Sequence, residues 1–383
     1  MSTAAVNFGP ARANLAPAFT HSLKIAQIAP LYERVPPKFY GGTERVVSFL
    51  TEELVRQGHQ VTLFASGDSV TAAELVPGCR VALRLDRSAP DALPYHMMML
   101  EEVRRRAHEF DLLHFHIDLF QFPLVRAIGA PAMTTLHGRL DLPDLAPFYR
   151  MFADAPLVSI SDDQRRPMPP VNWLGTVHHG LPADLLRPKP APSCDYLAFL
   201  GRISPEKRPD RAIEIAARTG VKLKIAAKVD KADERYWQET IEPMTRDNPL
   251  VEFVGEIGDS QKADFLGNAL ALVFPIDWPE PFGIVMIEAM ACGTPVIAFD
   301  HGSVPEVIDE GVTGFVVDSV DEAAAAVPRA MALDRAAVRA TFERRFTAER
   351  MARDYLELYR GLVAAAEPVL RPAAPAAPIL LPA

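Results

Sequence analysis

Short apolar runs recur along most of the chain, and helical patterns fill the gaps between them. Leu23–Pro30, Val61–Ser66, Leu112–His116, Ala132–Gly138, Leu157–Ser161 and Thr176–Gly180 read as strands of a first half. Thr43–Gln57 reads as a helix, with Val46, Val47, Phe49, Leu50, Leu54 and Val55 on one broad face and Gly58 as its stop. A Pro-rich stretch, Leu186–Ser193, breaks the pattern and reads as a linker. The alternation then restarts with strands at Tyr196–Gly201, Lys222–Lys228, Val251–Gly255, Ala271–Ile276, Pro295–Phe299 and Gly314–Asp318. A last amphipathic helix follows, from about Ala348 to Val363. Strands alternating with helices predict an α/β fold, parallel and doubly wound, in each half.

A length of 383 residues suits two domains, each with its own core. The expected organisation is an irregular N-terminus at 1–21, a first domain at 22–186 and a linker at 187–194. A second domain at 195–346, a cross-over helix at 347–364 and an irregular Pro/Ala tail at 365–383 complete it. The net charge of −9 argues against a nucleic-acid partner. Cys79, Cys194 and Cys292 are far apart and form no CxxC, which fits a reducing, cytoplasmic setting. No run reaches the length of a membrane span, Leu266–Ile276 coming nearest, and the N-terminus lacks a secretory-signal pattern.

The most informative stretch is Glu280-Pro-Phe-Gly-Ile-Val-Met-Ile-Glu288, followed by Cys292-Gly-Thr-Pro-Val-Ile-Ala298. Two carboxylates flank a turn that opens into an apolar helix, whose first N–H groups are free for an anionic ligand. The carboxylates can accept hydrogen bonds from hydroxyls. Phosphates and hydroxyls together describe a nucleotide sugar. Gly201-Arg-Ile-Ser-Pro-Glu-Lys207 leaves the first strand of the second half, where Arg202 and Lys207 would point into the inter-domain crevice and neutralise a diphosphate. Tyr40-Gly-Gly-Thr-Glu44 lies between strand and helix, and Gly41 and Gly42 would let a ligand approach the backbone. Thr134-Thr-Leu-His-Gly138 puts His137 at a strand's end. Taken singly, each has a plainer reading: a solvated loop pair, a strand-to-helix turn, a structural histidine.

Together these segments resemble retaining glycosyltransferases of family four, of the GT-B class, over about residues 22–363. The resemblance implies two Rossmann-like domains facing a cleft, with the final helix crossing back onto the first. It implies that Glu280 binds the donor sugar's hydroxyls and Glu288 the ribose hydroxyls. Backbone groups of Phe282, Gly283, Ile284 and Val285 would meet sugar and phosphate. Arg202 and Lys207 would hold the diphosphate, His137 would contact the donor sugar, and Gly41 and Gly42 would lie near the reaction centre. The loop bearing Gly255 and Glu256 would flank the nucleobase, and Asp118 would reach the acceptor side.

Other features change the picture less. His114 and His116 share a strand face but lack further ligands, and no Asp-x-Asp is present, so no metal and no other cofactor is expected. Met97–Met99 before Glu101–Arg106 leaves a peripheral membrane contact open, although the glutamates offset the arginines. The chain therefore reads as a retaining, metal-independent glycosyltransferase. It would move a hexose-type sugar from a nucleoside diphosphate, UDP or GDP first among them, to a hydroxyl acceptor of glycolipid, polysaccharide or small glycoside. A nucleotide-sugar epimerase or hydrolase, or a catalytically silent sugar-nucleotide binder, are the alternatives. A site split between two halves also implies closure about Leu186–Ser193 and the helix after Ala348.

Overall fold

The computed structural model describes residues 22–38 and 41–366. The segments expected to be irregular, 1–21 and the tail beyond 366, lie outside the described residues, as does Tyr40.

Two parallel sheets build the molecule. The first takes β1 (Lys24–Ile28), β2 (Gln60–Ser66), β3 (Glu74–Cys79), β4 (Leu112–Phe115), β5 (Ala132–Thr135), β6 (Leu157–Ser159) and β7 (Trp173–Thr176) in the order 3-2-1-4-5-6-7. The second takes β8 (Tyr196–Ile203), β9 (Lys222–Val229), β10 (Val251–Gly255), β11 (Ala271–Phe274), β12 (Val296–Phe299) and β13 (Gly314–Val317) in the order 10-9-8-11-12-13. Central strands such as β4, β11 and β12 are buried along their whole length, because helices cover both faces of each sheet. In each sheet the order reverses beside the first strand, and ligands of open α/β sheets collect outside that point, at the strands' carboxyl ends.

All six strands expected in the second half are present. In the first half two expectations fail. β3 was not foreseen, because Glu-Leu-Val-Pro-Gly-Cys carries a proline and a glycine; it is an edge strand, where a proline costs no ladder bond. The last strand was expected at Thr176–Gly180 but lies at Trp173–Thr176, and the apolar run beyond it instead forms the crossing to the second half.

The helix Gly42–Arg56 buries Val46, Val47, Leu50 and Leu54. The final helix, Ala348–Ala366, returns to the first domain and lays Met351, Ala352, Tyr355, Leu356 and Tyr359 on the same core, at the spacing of one helical face. Its two tyrosines reach β1 and β5: Tyr359 accepts from Gln27, and Tyr355 bonds Thr135.

Among the described residues the chain passes between the domains twice, side by side. Leu181 N–H donates to Phe346 O at 2.9 Å, and Ala348 N–H donates to Leu181 O at 2.8 Å. Beyond this point residues 183–189, expected to belong mostly to the first domain and the linker, already sit on the second. Arg339 donates to the carbonyls of Ala183 and Leu186, and Lys189 pairs with Asp264. The crossing needs a residue without a side chain. A Cβ on Gly180 would stand 2.2 Å from Thr347 O.

Gly180→Ala is therefore expected to destabilise the fold by about 1–3 kcal/mol, the range for forced overpacking. Gly175→Ala is its control, since a Cβ there would meet only Leu358, at 3.5 Å. Denaturant unfolding of both variants checks this, with a clear midpoint loss expected for Gly180→Ala alone.

Candidate active site in the inter-domain cleft

The carboxyl ends of both sheets open on one cleft of about 640 Å³. Loops after β1, β4 and β5 form one wall; the ends of β8, β9, β10 and β11, with the helix Ile284–Ala291, form the other.

On the second wall, β8 runs out through Arg202 into the short turn Pro205–Lys207. The Lys207 ammonium meets the Glu280 carboxylate directly, 4.8 Å from the centroid of the Trp278 ring. Trp278 Nε1–H donates to the same Glu280 oxygen at 2.9 Å. These three side chains fix one another, so Glu280 can present its second oxygen to a ligand hydroxyl. The Glu280 backbone rests on Gly302, where a Cβ would stand 2.3 Å from Glu280 N, and Ser303 N–H donates to Glu280 O at 3.0 Å. Gly302 and Ser303 carry no motif, and sequence reasoning missed them.

Arg202 is less free than its position suggested. Its guanidinium bonds Glu206 at 2.8 Å and lies 3.7 Å from Asp233 and 3.8 Å from Asp230. The two aspartates follow β9 in a loop without pattern, and nothing in the sequence singled them out. Any anion here would compete with three carboxylates for Arg202 and with one for Lys207.

Gly283 caps the helix Ile284–Ala291, and Gly283, Ile284 and Val285 at its start line the cleft together with Lys207. Further in, Glu288 is 1% exposed. One of its oxygens accepts from Lys262 at 2.6 Å, and the other has no partner. Lys262 also pairs with Asp259 at 3.4 Å, and Asp259 pairs with Arg45 from the opposite wall. The unsatisfied carboxylate oxygen is thus tied, through three charged residues the sequence did not mark, to a contact across the cleft. A second contact between the domains joins Glu306 to the N–H groups of Asp162 and Asp163 at 2.8 and 2.7 Å.

Gly41, Gly42, Asp118 and His137 lie on the first wall, and Phe282 to Val285 and Glu256 on the second. Gly255 is not on the wall; it ends β10 just behind Glu256. Burial raises Asp118 and Glu44 above the usual carboxylate range. His137 hydrogen-bonds His116 at 2.9 Å and stacks on His179, with centroids 5.4 Å apart. His179 packs against Phe282 and lines the cleft. At the remaining surface, Met97 and Met98 are exposed and Met99 is buried. The nearby arginines pair with Glu101, Glu109 and Glu74. Among the described residues no group of three or more His, Cys, Asp or Glu could hold a metal ion, and no helix is long and apolar enough to cross a membrane.

Comparison with known proteins bears on the family and the fold. The family described as glycosyl transferases group 1 matches residues 189–343, and glycosyltransferase family 4 matches residues 40–162. The D-inositol 3-phosphate glycosyltransferase of Mycolicibacterium smegmatis is 34% identical over 137 residues, 33% of this chain and 29% of that protein. The protein of that name from Mycobacterium tuberculosis (strain H37Ra) is 29% identical over 217 residues, 48% of this chain and 43% of that protein. The matched stretches thus span less than half of either relative. Among solved structures, sucrose-phosphate synthase from Thermosynechococcus elongatus superposes with TM-score 0.71 and 21% identity, over 90% of this chain and 100% of that one. Anabaena HepE in complex with UDP and glucose gives 0.67 and 19%, over 88% and 100%. At these identities the likeness is one of fold, and that fold is GT-B.

Burial holds His114, His116 and His179 well below the usual imidazole range and pushes His137 down to about 3. The unfolded chain takes up protons near pH 6.5 and the native one does not, so acid favours unfolding. Stability is expected to fall from pH 7 to 5.5, by about 1.4 kcal/mol per pH unit below 6.5 for each such histidine. Denaturant midpoints across this range check it, and His114→Gln should flatten the slope. A midpoint that stays constant, or rises with acid, would show that these imidazoles are not neutral in the fold.

Proposed function

We propose that this chain, which belongs to glycosyltransferase family four, transfers a sugar from a nucleoside diphosphate to a hydroxyl acceptor with retention of configuration. One observation carries the proposal. Lys207 and Glu280, braced by Trp278, line the same cleft as Gly283, Ile284 and Val285 at the start of the helix Ile284–Ala291. Anion-binding and hydroxyl-binding groups therefore share one point of the cleft, opposite His137. A diphosphate at that helix end draws on Lys207, on Arg202 and on the N–H groups. The unpaired oxygen of Glu288 accepts a ribose hydroxyl, and Glu280 a sugar hydroxyl.

In the reaction the bond from the anomeric carbon to the diphosphate oxygen breaks, and a bond to the acceptor oxygen forms on the same face. The acceptor's proton passes to the departing phosphate oxygen. No carboxylate is needed as a covalent nucleophile, and rate comes from positioning and from charge stabilisation of the leaving group. Cationic side chains and backbone dipoles take the part a divalent ion plays elsewhere. HepE, described in complex with UDP-glucose, supports a UDP-sugar as the first donor to try. The inositol-phosphate glycosyltransferases support a polyol as the first acceptor.

A panel of nucleotide sugars is expected to contain one that raises the melting temperature, and with an acceptor that donor should give a product of unchanged anomeric configuration by NMR. Turnover should survive a strong chelator, and Lys207→Ala should lower kcat/KM by at least about tenfold with the fold intact. Loss of activity to the chelator, restored by one divalent ion, would overturn metal independence. Hydrolysis or epimerisation without an acceptor would favour the rival reading.

A further inference from the structure

A line of buried polar side chains runs from the final helix to the cleft. Tyr355 OH bonds Thr135 Oγ1 at 3.0 Å, and Thr135 bonds His114 Nε2 at 2.8 Å. His114 Nδ1 lies 2.7 Å from Tyr359 OH, which accepts from Gln27 Nε2 at 3.1 Å. Gln27 Oε1 lies 2.7 Å from His116 Nε2, and His116 Nδ1 lies 2.9 Å from His137 Nε2. Gln27, His114, Tyr355 and Tyr359 are wholly buried, and Thr135 and His116 nearly so. The line ends at His137 Nδ1, which is buried and has no partner, on a ring that lines the cleft.

Each link holds one proton, so the direction of one bond sets its neighbours. Gln27 turns its carbonyl oxygen to His116, so His116 must carry its proton on Nε2. Burial keeps His116 neutral, which leaves its Nδ1 an acceptor. The bond to His137 then requires the proton on His137 Nε2, and a neutral His137 has a bare Nδ1. On the other side, the Gln27 amide gives a proton to Tyr359, and Tyr359 gives its own to His114. Rotating the Gln27 amide by half a turn reverses every bond between His114 and His137, and would leave a proton on His137 Nδ1. The oxygen of Tyr359 opposes that rotation only while it has a proton to give to His114, because it then accepts from Gln27.

We infer that Tyr359 and Gln27 are positioning residues that hold His137 as the neutral Nε2–H tautomer, so that, on the transferase reading above, its bare Nδ1 accepts a hydrogen bond from the transferred sugar. A buried Nδ1 without a partner is costly, and it is satisfied once a donor group meets it. The arrangement selects a chemical class. The sugar position facing His137 must carry an O–H or N–H; a carboxylate or an ether oxygen there sets lone pair against lone pair. A neutral hydroxylated sugar is accepted, and a uronic acid with its carboxylate at that position is refused. The cross-over helix thus reaches the reaction centre through Tyr359 without touching substrate.

Long-range proton–nitrogen NMR on the full-length chain labelled with 15N-histidine tests this, with His137→Asn assigning the signals. At pH 7 His137 is expected to show a protonated Nε2 and a bare Nδ1. Tyr359→Phe, and independently Gln27→Met, is expected to give a mixture of tautomers. With an active nucleotide sugar, kcat/KM should fall about five- to tenfold in each. A protonated Nδ1 in the parent, or a single unchanged tautomer in both variants, would overturn the inference. The parent spectrum needs no turnover, so failure to transfer any sugar while the tautomer stands as stated counts against the transferase reading alone.

Discussion

Everything functional in this molecule depends on the double chain crossing at Leu181 and Thr347. Two N–H···O bonds, Leu181 to Phe346 and Ala348 to Leu181, hold the strands of the crossing together. Gly180 lets them approach. Because, among the described residues, the chain passes between domains only at that edge, the carboxyl ends of two independently wound sheets face each other across a shared space. Neither sheet alone has a site. β4 and β5 supply imidazoles and a carboxylate, β8 and β11 supply cations and a helix end, and the crossing brings these into register.

Each of these cleft cations already has a carboxylate partner. Lys207 is paired with Glu280, Arg202 lies among Glu206, Asp230 and Asp233, and Lys262 is shared by Glu288 and Asp259. Paired charges in a part-buried place are stable only while each keeps its partner. An incoming dianion must therefore be matched by groups that can accept it without stranding a carboxylate. Helix N–H dipoles meet that condition, since they carry no counter-charge to displace. The same pairing holds between the domains: Arg45 meets Asp259, and Glu306 accepts from the backbone of Asp162 and Asp163.

Much of this was legible in the sequence, and what was missing is instructive. The second half read well because its strands are short, buried and punctuated by glycine and proline, as in Cys292-Gly-Thr-Pro-Val. In the first half β3 was hidden by Pro77 and Gly78, whose cost an edge strand avoids. Cleft-lining residues carried by compact motifs, such as Lys207, Glu280 and Glu288, were legible. Their partners were not. Lys262, Asp230, Asp233, Gly302 and His179 act through distances between segments far apart in the chain, and no local spacing marks them. Glu288 was read as a ligand group from its motif, but its tie to Lys262, Asp259 and Arg45 exists only after folding. The final helix shows the same limit: its apolar face was legible, while the hydroxyls of Tyr355 and Tyr359 serving the first sheet were not.

The central claim is that a nucleoside diphosphate sits across this cleft with its phosphates on the helix Ile284–Ala291. A crystal structure of the full-length chain with UDP-glucose tests that most directly. The account predicts phosphate oxygens within hydrogen-bond distance of the first N–H groups of that helix and of Lys207, with the ribose at Glu288. A nucleotide seated outside the cleft, or lying in it with its phosphates away from both the helix end and Lys207, would contradict it.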